Sequence, residues 1–268
     1  MILDADVERW LREDLGHHDV TNDLPGETTG RLVAREAGTV AGLDAAEQVF
    51  DYLDCEPVPV VDDGERVAAG DVLLRVAGPT RAVLRGERVA VNLVGHAAGV
   101  ATRTARAVAA AREVDPAVRV AATRKTTPGL RGVEKRAVAA AGGDTHRLDL
   151  SHMAMVKDNH VAELGLEGAV ERVRERASFA TNVEVEVENP DDAGRAAAAG
   201  ADVVLLDNMA PEAVREGVAA LPDGVLAEAS GGITLETLPA YAGTGVDVVS
   251  MGSLTHSAPA LDLSFRTD

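Results

Sequence analysis

Six short apolar runs in the second half of the chain each end in polar residues. The groups are Thr123-Arg124-Lys125, Lys157-Asp158-Asn159, the acids of residues 184–188, Asp207-Asn208-Met209, Ser230-Gly231-Gly232 and Met251-Gly252-Ser253. Arg124, Lys125 and Lys157 are cations suited to phosphate or carboxylate. Glu184, Glu186 and Glu188 alternate with valines and so share one side of a strand. In a barrel interior such carboxylates must meet cations or a metal. Glu186 and Asp207, at neighbouring run ends, suit a hard ion such as Mg²⁺, which takes one or two carboxylates plus substrate phosphates. Ser230, Gly231 and Gly252 lie in small-residue turns, SGGIT, read as preceding a helix, and MGSLTHS after the last run. Backbone N–H groups in such turns form a phosphate site. His146-Arg147 precedes the second run, and its arginine neighbour singles this histidine out from the scattered others. Six polar groups in phase point to one shared site for an anionic ligand.

That expectation stands against the charge of the whole. The 268 residues carry 44 Asp+Glu against 26 Lys+Arg, a formal net charge of -18, and the three lysines are Lys125, Lys135 and Lys157. An acidic surface repels phosphate backbones and anionic membranes, so neither nucleic acid nor membrane is an expected partner. With 2% aromatic residues there is no stacking platform for bases either. Excess acid with arginine kept and lysine nearly absent is the balance of a halophilic protein, in which salt screens self-repulsion. Its unfolding temperature should rise as KCl goes from dilute to molar; a flat or falling curve would remove the reading. Cys55 is the single cysteine, so no internal disulfide or cysteine metal cluster forms. The start MILDADVERW lacks the cationic end and apolar core of a signal peptide, and a soluble, cytoplasmic protein is expected.

The elements that must position these groups follow from the apolar pattern. At 46% hydrophobic residues the chain can bury one large or two modest cores. Residues 31–78 read as short strands and turns around a helical DAAEQVFDYL. Within them DGERVAAGDVLLRVAG resembles a lipoyl or biotinyl carrier hairpin, but no lysine precedes Lys125 and the carrier reading fails. Residues 85–114, Ala/Val-rich with no proline, predict one long helix. After Asp115 the runs VRVAA, MAMV, NVEVEV, ADVVLL, GVLAEA and VDVVSM alternate with helical stretches such as EKRAVAAAG, LEGAVERVRERA, PDDAGRAAAAG and PEAVREGVAAL. Alternating βα units predict parallel strands in an α/β fold, with chemistry at their carboxyl ends. Six units give a barrel-like closure or an open sheet.

ERVAVNLVGHAAGVAT, TRKTTPGLR followed by EKRAVAAAGGDTHR, VKDNH, EVEVEN, LLDNM, SGGI and GVDVVSMGSLTHS, with EDLGHHDVTND near the amino end, resemble in order the motifs of the quinolinate phosphoribosyltransferase family. The resemblance implies an amino-terminal α/β sandwich domain over 1–101 and an incomplete, about six-stranded α/β barrel over 102–268, whose tail packs back on the first domain. It implies a homodimer or higher homo-oligomer with active sites between subunits. It also implies transfer of phosphoribosyl from 5-phosphoribosyl 1-pyrophosphate to quinolinate with Mg²⁺, giving nicotinate mononucleotide, pyrophosphate and CO2 in NAD biosynthesis. By position, Arg124, His146 and Arg147 would hold the quinolinate carboxylates together with the partner subunit's Arg88. Lys125 and Lys157 would contact the pyrophosphate or the ring carboxylate. Glu186 and Asp207 would serve the ribose hydroxyls and Mg²⁺, and Ser230, Gly231 and Gly252 the 5-phosphate. Three positions depart from the family pattern: Ala122, where an acid is common, Ala98 for a serine, and Asp149 for a glycine. The alternatives are a paralogous phosphoribosyltransferase of the molybdenum-transport-associated type, a nicotinate-using relative, and a non-catalytic phosphate-ligand binding barrel.

Overall fold

The computed structural model describes residues 2–267. It opens with helix α1 (Asp4–Leu15), whose Val7 and Leu11 lie one turn apart on one face and are buried. Next come β1 (Glu27–Ala34), β2 (Gly38–Thr39), α2 (Leu43–Tyr52), β3 (Glu56–Pro59), β4 (Arg66–Val67) and β5 (Val72–Pro79). The long proline-free stretch is one helix, α3 (Thr80–Arg112). Residues 63–78 are not a hairpin: β4 pairs with β2, while β5 pairs with β1 and β3.

Short strands and helices then alternate. They are β6 (Arg119–Ala121), α4 (Arg131–Ala140), β7 (Ala154–Val156), α5 (Asp158–Leu164), α6 (Leu166–Arg174), β8 (Val183–Val187), α7 (Ala193–Ala198) and β9 (Val203–Asp207). The chain ends with α8 (Pro211–Ala219), β10 (Leu226–Ser230), α9 (Leu238–Ala242), β11 (Val248–Ser250), α10 (Ser253–His256) and β12 (Leu263–Thr267). Pro211 at the first position of α8 sits where a helix has no use for its N–H. Among the described residues, no helix is long and apolar enough to cross a membrane.

The chain divides into two compact units, Met1–Ala105 with Thr126–Gly142 and Leu254–Asp268, and Arg106–Lys125 with Gly143–Ser253. The units therefore interleave in sequence, with Thr126–Gly142 and Leu254–Asp268 both falling in the first unit. Pairing explains part of this, because β12 runs antiparallel to β1 and completes the first unit's sheet in the order β12-β1-β5-β3. One face of that sheet supplies Leu32, Leu74, Val76 and Leu263 to a core shared with Phe50 of α2 and Val94 of α3. The rings of Phe50 and Phe265 stack 6.0 Å apart. The tail before β12 is held as well: Leu261 N–H donates to Gly95 O at 2.9 Å. A side chain at Gly99 would come within 2.1 Å of Pro259 O, so only glycine admits that crossing.

In the second unit six parallel strands pair in the order β6-β11-β10-β9-β8-β7. The first strand thus lies beside the last, the cyclic order of a barrel, but β6 and β7 share no ladder. The result is an incomplete α/β barrel with its opening between those two strands. Asp144 partly lines the opening, donating its N–H to Val120 O at 2.8 Å and accepting from Ala122 N–H at 2.9 Å.

Candidate active site

Strand register decides which side chains share the barrel interior. Glu184 pairs with Val203, Glu186 with Leu205, Leu205 with Glu228, and Asp207 with Ser230. Paired residues of a parallel ladder point to the same side, so Glu184, Glu186, Asp207, Glu228 and Ser230 occupy one face. Glu184 and Glu228 lie deep and are buried; Asp207 and Ser230 end their strands. The acids alternate with valine because a buried strand can carry polar residues on one face only if cations meet them.

Two cations do. Lys157 immediately follows β7, and its Nζ makes a close ion pair with Glu186 Oε2 at the carboxyl end of β8. The Lys157 backbone N–H donates to His160 Nδ1 at 3.0 Å, fixing the turn into α5. Asp207 accepts from Asn208 Nδ2 at 2.6 Å, and Asn208 N–H donates to Ser230 O at 2.9 Å. The loops after β9 and β10 are thereby tied. Gly231, at φ 98°, approaches Asn208 so closely that a Cβ would lie 2.3 Å from Asn208 Oδ1. Gly231 is required there for both conformation and space. The SGGIT turn leads into further turns, and α9 begins only at Leu238, so the helix expected directly after it is absent. Gly252 does directly precede α10.

The second cation group enters through the opening of the barrel. His146 is a non-glycine residue at φ 51°, and its N–H donates to Asp144 Oδ1 at 2.7 Å. Its Nε2 lies 3.1 Å from Glu228 Oε2 and 3.5 Å from Glu184 Oε2. Burial alone would lower the imidazole pKa, but the two carboxylates overcome it and push it up to about 10. His146 is therefore an imidazolium at neutral pH. The three side chains could in geometry hold a metal ion; without one, the protonated ring is the cation that meets the two acids. Burial raises the pKa of Glu184, against the pull of His146. Arg147 is 7% exposed, and its Nη2 rests on Met155 Sδ at 3.1 Å. Its Nε is buried without a hydrogen-bond partner. Burial and the nearby charge of Arg124 pull its pKa below the usual arginine range, with Glu184 and Glu186 acting oppositely. Two arginines are thus held within electrostatic reach of each other.

Arg124, Arg147, Lys157, Glu186, Asp207, Ser230 and Gly252 belong to this unit, while Arg88 lies exposed on α3 in the first. Lys125 is exposed after β6, its N–H on Thr123 Oγ1 at 3.0 Å, and Glu188 is exposed past β8. Glu228 and Met155 were not singled out from the sequence. The signal for Glu228 was present, two residues before Ser230 and hence on the same face of LAEAS. The three departures are accommodated: Ala98 and Ala122 are fully buried, and Asp149 accepts from Ser151 N–H at 2.8 Å and His152 N–H at 3.1 Å.

An incomplete α/β barrel thus carries a buried arginine beside its opening and a lysine–glutamate pair at the carboxyl ends of its strands. The models of the N-terminal and C-terminal domains of quinolinate phosphoribosyl transferase match residues 18–98 and 100–266. A probable nicotinate-nucleotide pyrophosphorylase [carboxylating] of Methanothermobacter thermautotrophicus is 46% identical, over 97% of this chain and 97% of its own. The human nicotinate-nucleotide pyrophosphorylase [carboxylating] is 42% identical, over 98% of this chain and 91% of its own. The crystal structure of NadC from Streptococcus pyogenes, 39% identical, superposes with a TM-score of 0.91 over 98% of this chain and 95% of that one. The chain belongs to the quinolinate phosphoribosyl transferase family. Neither the molybdenum-associated paralogue nor a non-catalytic binder is favoured by these relatives.

Proposed function

We propose that this chain transfers the phosphoribosyl group of 5-phosphoribosyl 1-pyrophosphate to quinolinate with loss of CO2, giving nicotinate mononucleotide and pyrophosphate. The observation that carries the reading is Arg147, a buried guanidinium near Arg124 with its Nε unpartnered. A buried cation with a free donor needs an anion, and quinolinate brings two adjacent carboxylates. Arg124 and Arg147 hold the acid. Lys157 and Lys125 meet the pyrophosphate or the ring carboxylate. Ser230, Gly231 and Gly252 receive the 5-phosphate in the turns after β10 and β11.

The ring nitrogen then attacks the anomeric carbon as the bond to pyrophosphate breaks. Charge on the ribose becomes positive in that step, and Glu186 and Asp207 face it with negative charge. The nitrogen becomes a pyridinium. When the carbon–carboxylate bond next to it breaks, CO2 leaves, the bonding pair stays on the ring carbon under the pyridinium's pull, and a proton takes its place. No protein nucleophile is required.

The donor set fits Mg²⁺ in one way only. Among the described residues, no cluster of three ligand-type side chains includes Glu186 or Asp207. One or two carboxylates completed by substrate oxygens suit the ion, which does not need a cage made wholly by protein. Mg²⁺ bound there would neutralise charge on the departing pyrophosphate. Turnover should stop when a chelator removes the metal and return with Mg²⁺ or Mn²⁺; full activity in a metal-free assay would exclude the role. The assembly we propose is a homodimer in which the partner subunit's Arg88 completes each site.

A further inference from the structure

We propose that Glu184 and Glu228, acting through His146, are positioning residues that set Arg147 to receive a substrate carboxylate. The inference rests on the reading of Arg147 as a quinolinate ligand and adds residues to which that reading assigns no part.

The geometry starts from what holds Arg147. Its guanidinium meets a thioether sulfur, Met155 Sδ, through Nη2, and its Nε has no hydrogen-bond partner. A cavity of about 360 Å³ adjoins His146 and Arg147, lined also by Glu228, Arg119 and Val248. No strong acceptor fixes the guanidinium, so its place depends also on its backbone. That backbone hangs in the opening where β6 and β7 do not pair. Upstream, Asp144 is bonded to β6 through its N–H and carbonyl. Between this anchor and Arg147 stands His146, in a left-handed conformation that side-chain-bearing residues rarely adopt.

Such a conformation persists only when its surroundings over-determine it. Here they do so from three sides: Asp144 Oδ1 takes the backbone N–H, Glu228 takes Nε2 at 3.1 Å, and Glu184 stands at 3.5 Å. The two glutamates come from β8 and β10, the rigid part of the barrel, and neither oxygen of Glu184 accepts a hydrogen bond. Glu228, which takes Nε2, and Glu184 beside it thus both face the ring. Fixing the ring fixes the left-handed residue, and the next residue is Arg147.

The test uses the full chain with quinolinate, phosphoribosyl pyrophosphate and Mg²⁺. Glu228→Gln keeps shape and removes charge. Its KM for quinolinate should rise roughly tenfold to a hundredfold, the scale of a small misplacement of a binding group. Its KM for phosphoribosyl pyrophosphate and its kcat at saturating quinolinate should hold. Glu184→Gln should move the same way. On an Arg147→Ala background, Glu228→Gln should add nothing, because both changes act through one group. An unchanged quinolinate KM in a folded Glu228→Gln, or a penalty that adds fully to that of Arg147→Ala, overturns the positioning role while leaving Arg147 a ligand. An unaltered quinolinate KM in Arg147→Ala overturns the reading beneath it as well. If neither glutamine variant folds, the glutamates are structural and the inference fails.

Discussion

Supplied with phosphoribosyl pyrophosphate and Mg²⁺, the protein is expected to release one CO2 per nicotinate mononucleotide from quinolinate and to make almost no product from nicotinate. The ring of nicotinate is the same and one carboxylate is missing. Arg147 is 7% exposed, with an unpartnered Nε and the Arg124 charge close by. When a monocarboxylate closes such a site, one guanidinium is left buried and unpaired, at a cost of about 3 to 5 kcal/mol. At about 1.4 kcal/mol per factor of ten, that is a discrimination of roughly a hundredfold to several thousandfold. Arg147→Ala should lose a comparable share of kcat/KM for quinolinate and stay folded, since its side chain makes one contact to sulfur and no ion pair within hydrogen-bond distance. Equal use of the two acids, or product formed without CO2, would sink the assignment of these arginines.

The elements that carry the site were legible because each depends on local pattern. The stretch 85–114 has no proline and became α3, and the six apolar runs became β6 to β11, since a strand buried on both faces reads as a continuous apolar run. Alternation in VEVEV placed Glu184 and Glu186 on one face before any partner was known. What remained hidden depends on contacts distant in sequence. The tail's pairing as β12 uses the free edge of β1, and although the family resemblance implies a tail that packs back, nothing near Leu263 encodes that register. Residues 126–142 belong with the first unit although both neighbouring segments belong to the second. The turns after Ser230 run on to Leu238 because Gly231 and Gly232 both adopt positive φ, which a helix does not allow. His146 was chosen for its arginine neighbour, and its ring proved to face two acids of the barrel interior, the second of which is 82 residues away. A cation in an acidic chain can be recognised from sequence; whether it meets substrate or its own protein is decided by the fold.

The same division bears on Arg88. It lies exposed on α3 in the first unit, whereas Lys157 stands at the end of β7 in the second. If a site takes its barrel from one subunit and Arg88 from the other, two inactive variants must complement. Arg88→Ala should be inactive alone, and so should Lys157→Ala, which leaves Glu186 without its ammonium partner. In a hybrid dimer one site combines the Lys157 barrel with the partner subunit's Arg88, and the other site lacks both. Random reassortment of equal amounts makes half the dimers hybrid, each with one intact site, so activity should recover to about a quarter of the wild-type value, as expected for a two-fold dimer. Recovery must follow subunit exchange, so mixing without dissociation should restore nothing. Hybrids demonstrated by mass in a sample that stays inactive would place Arg88 and Lys157 in the site of a single subunit, or Arg88 outside the site altogether.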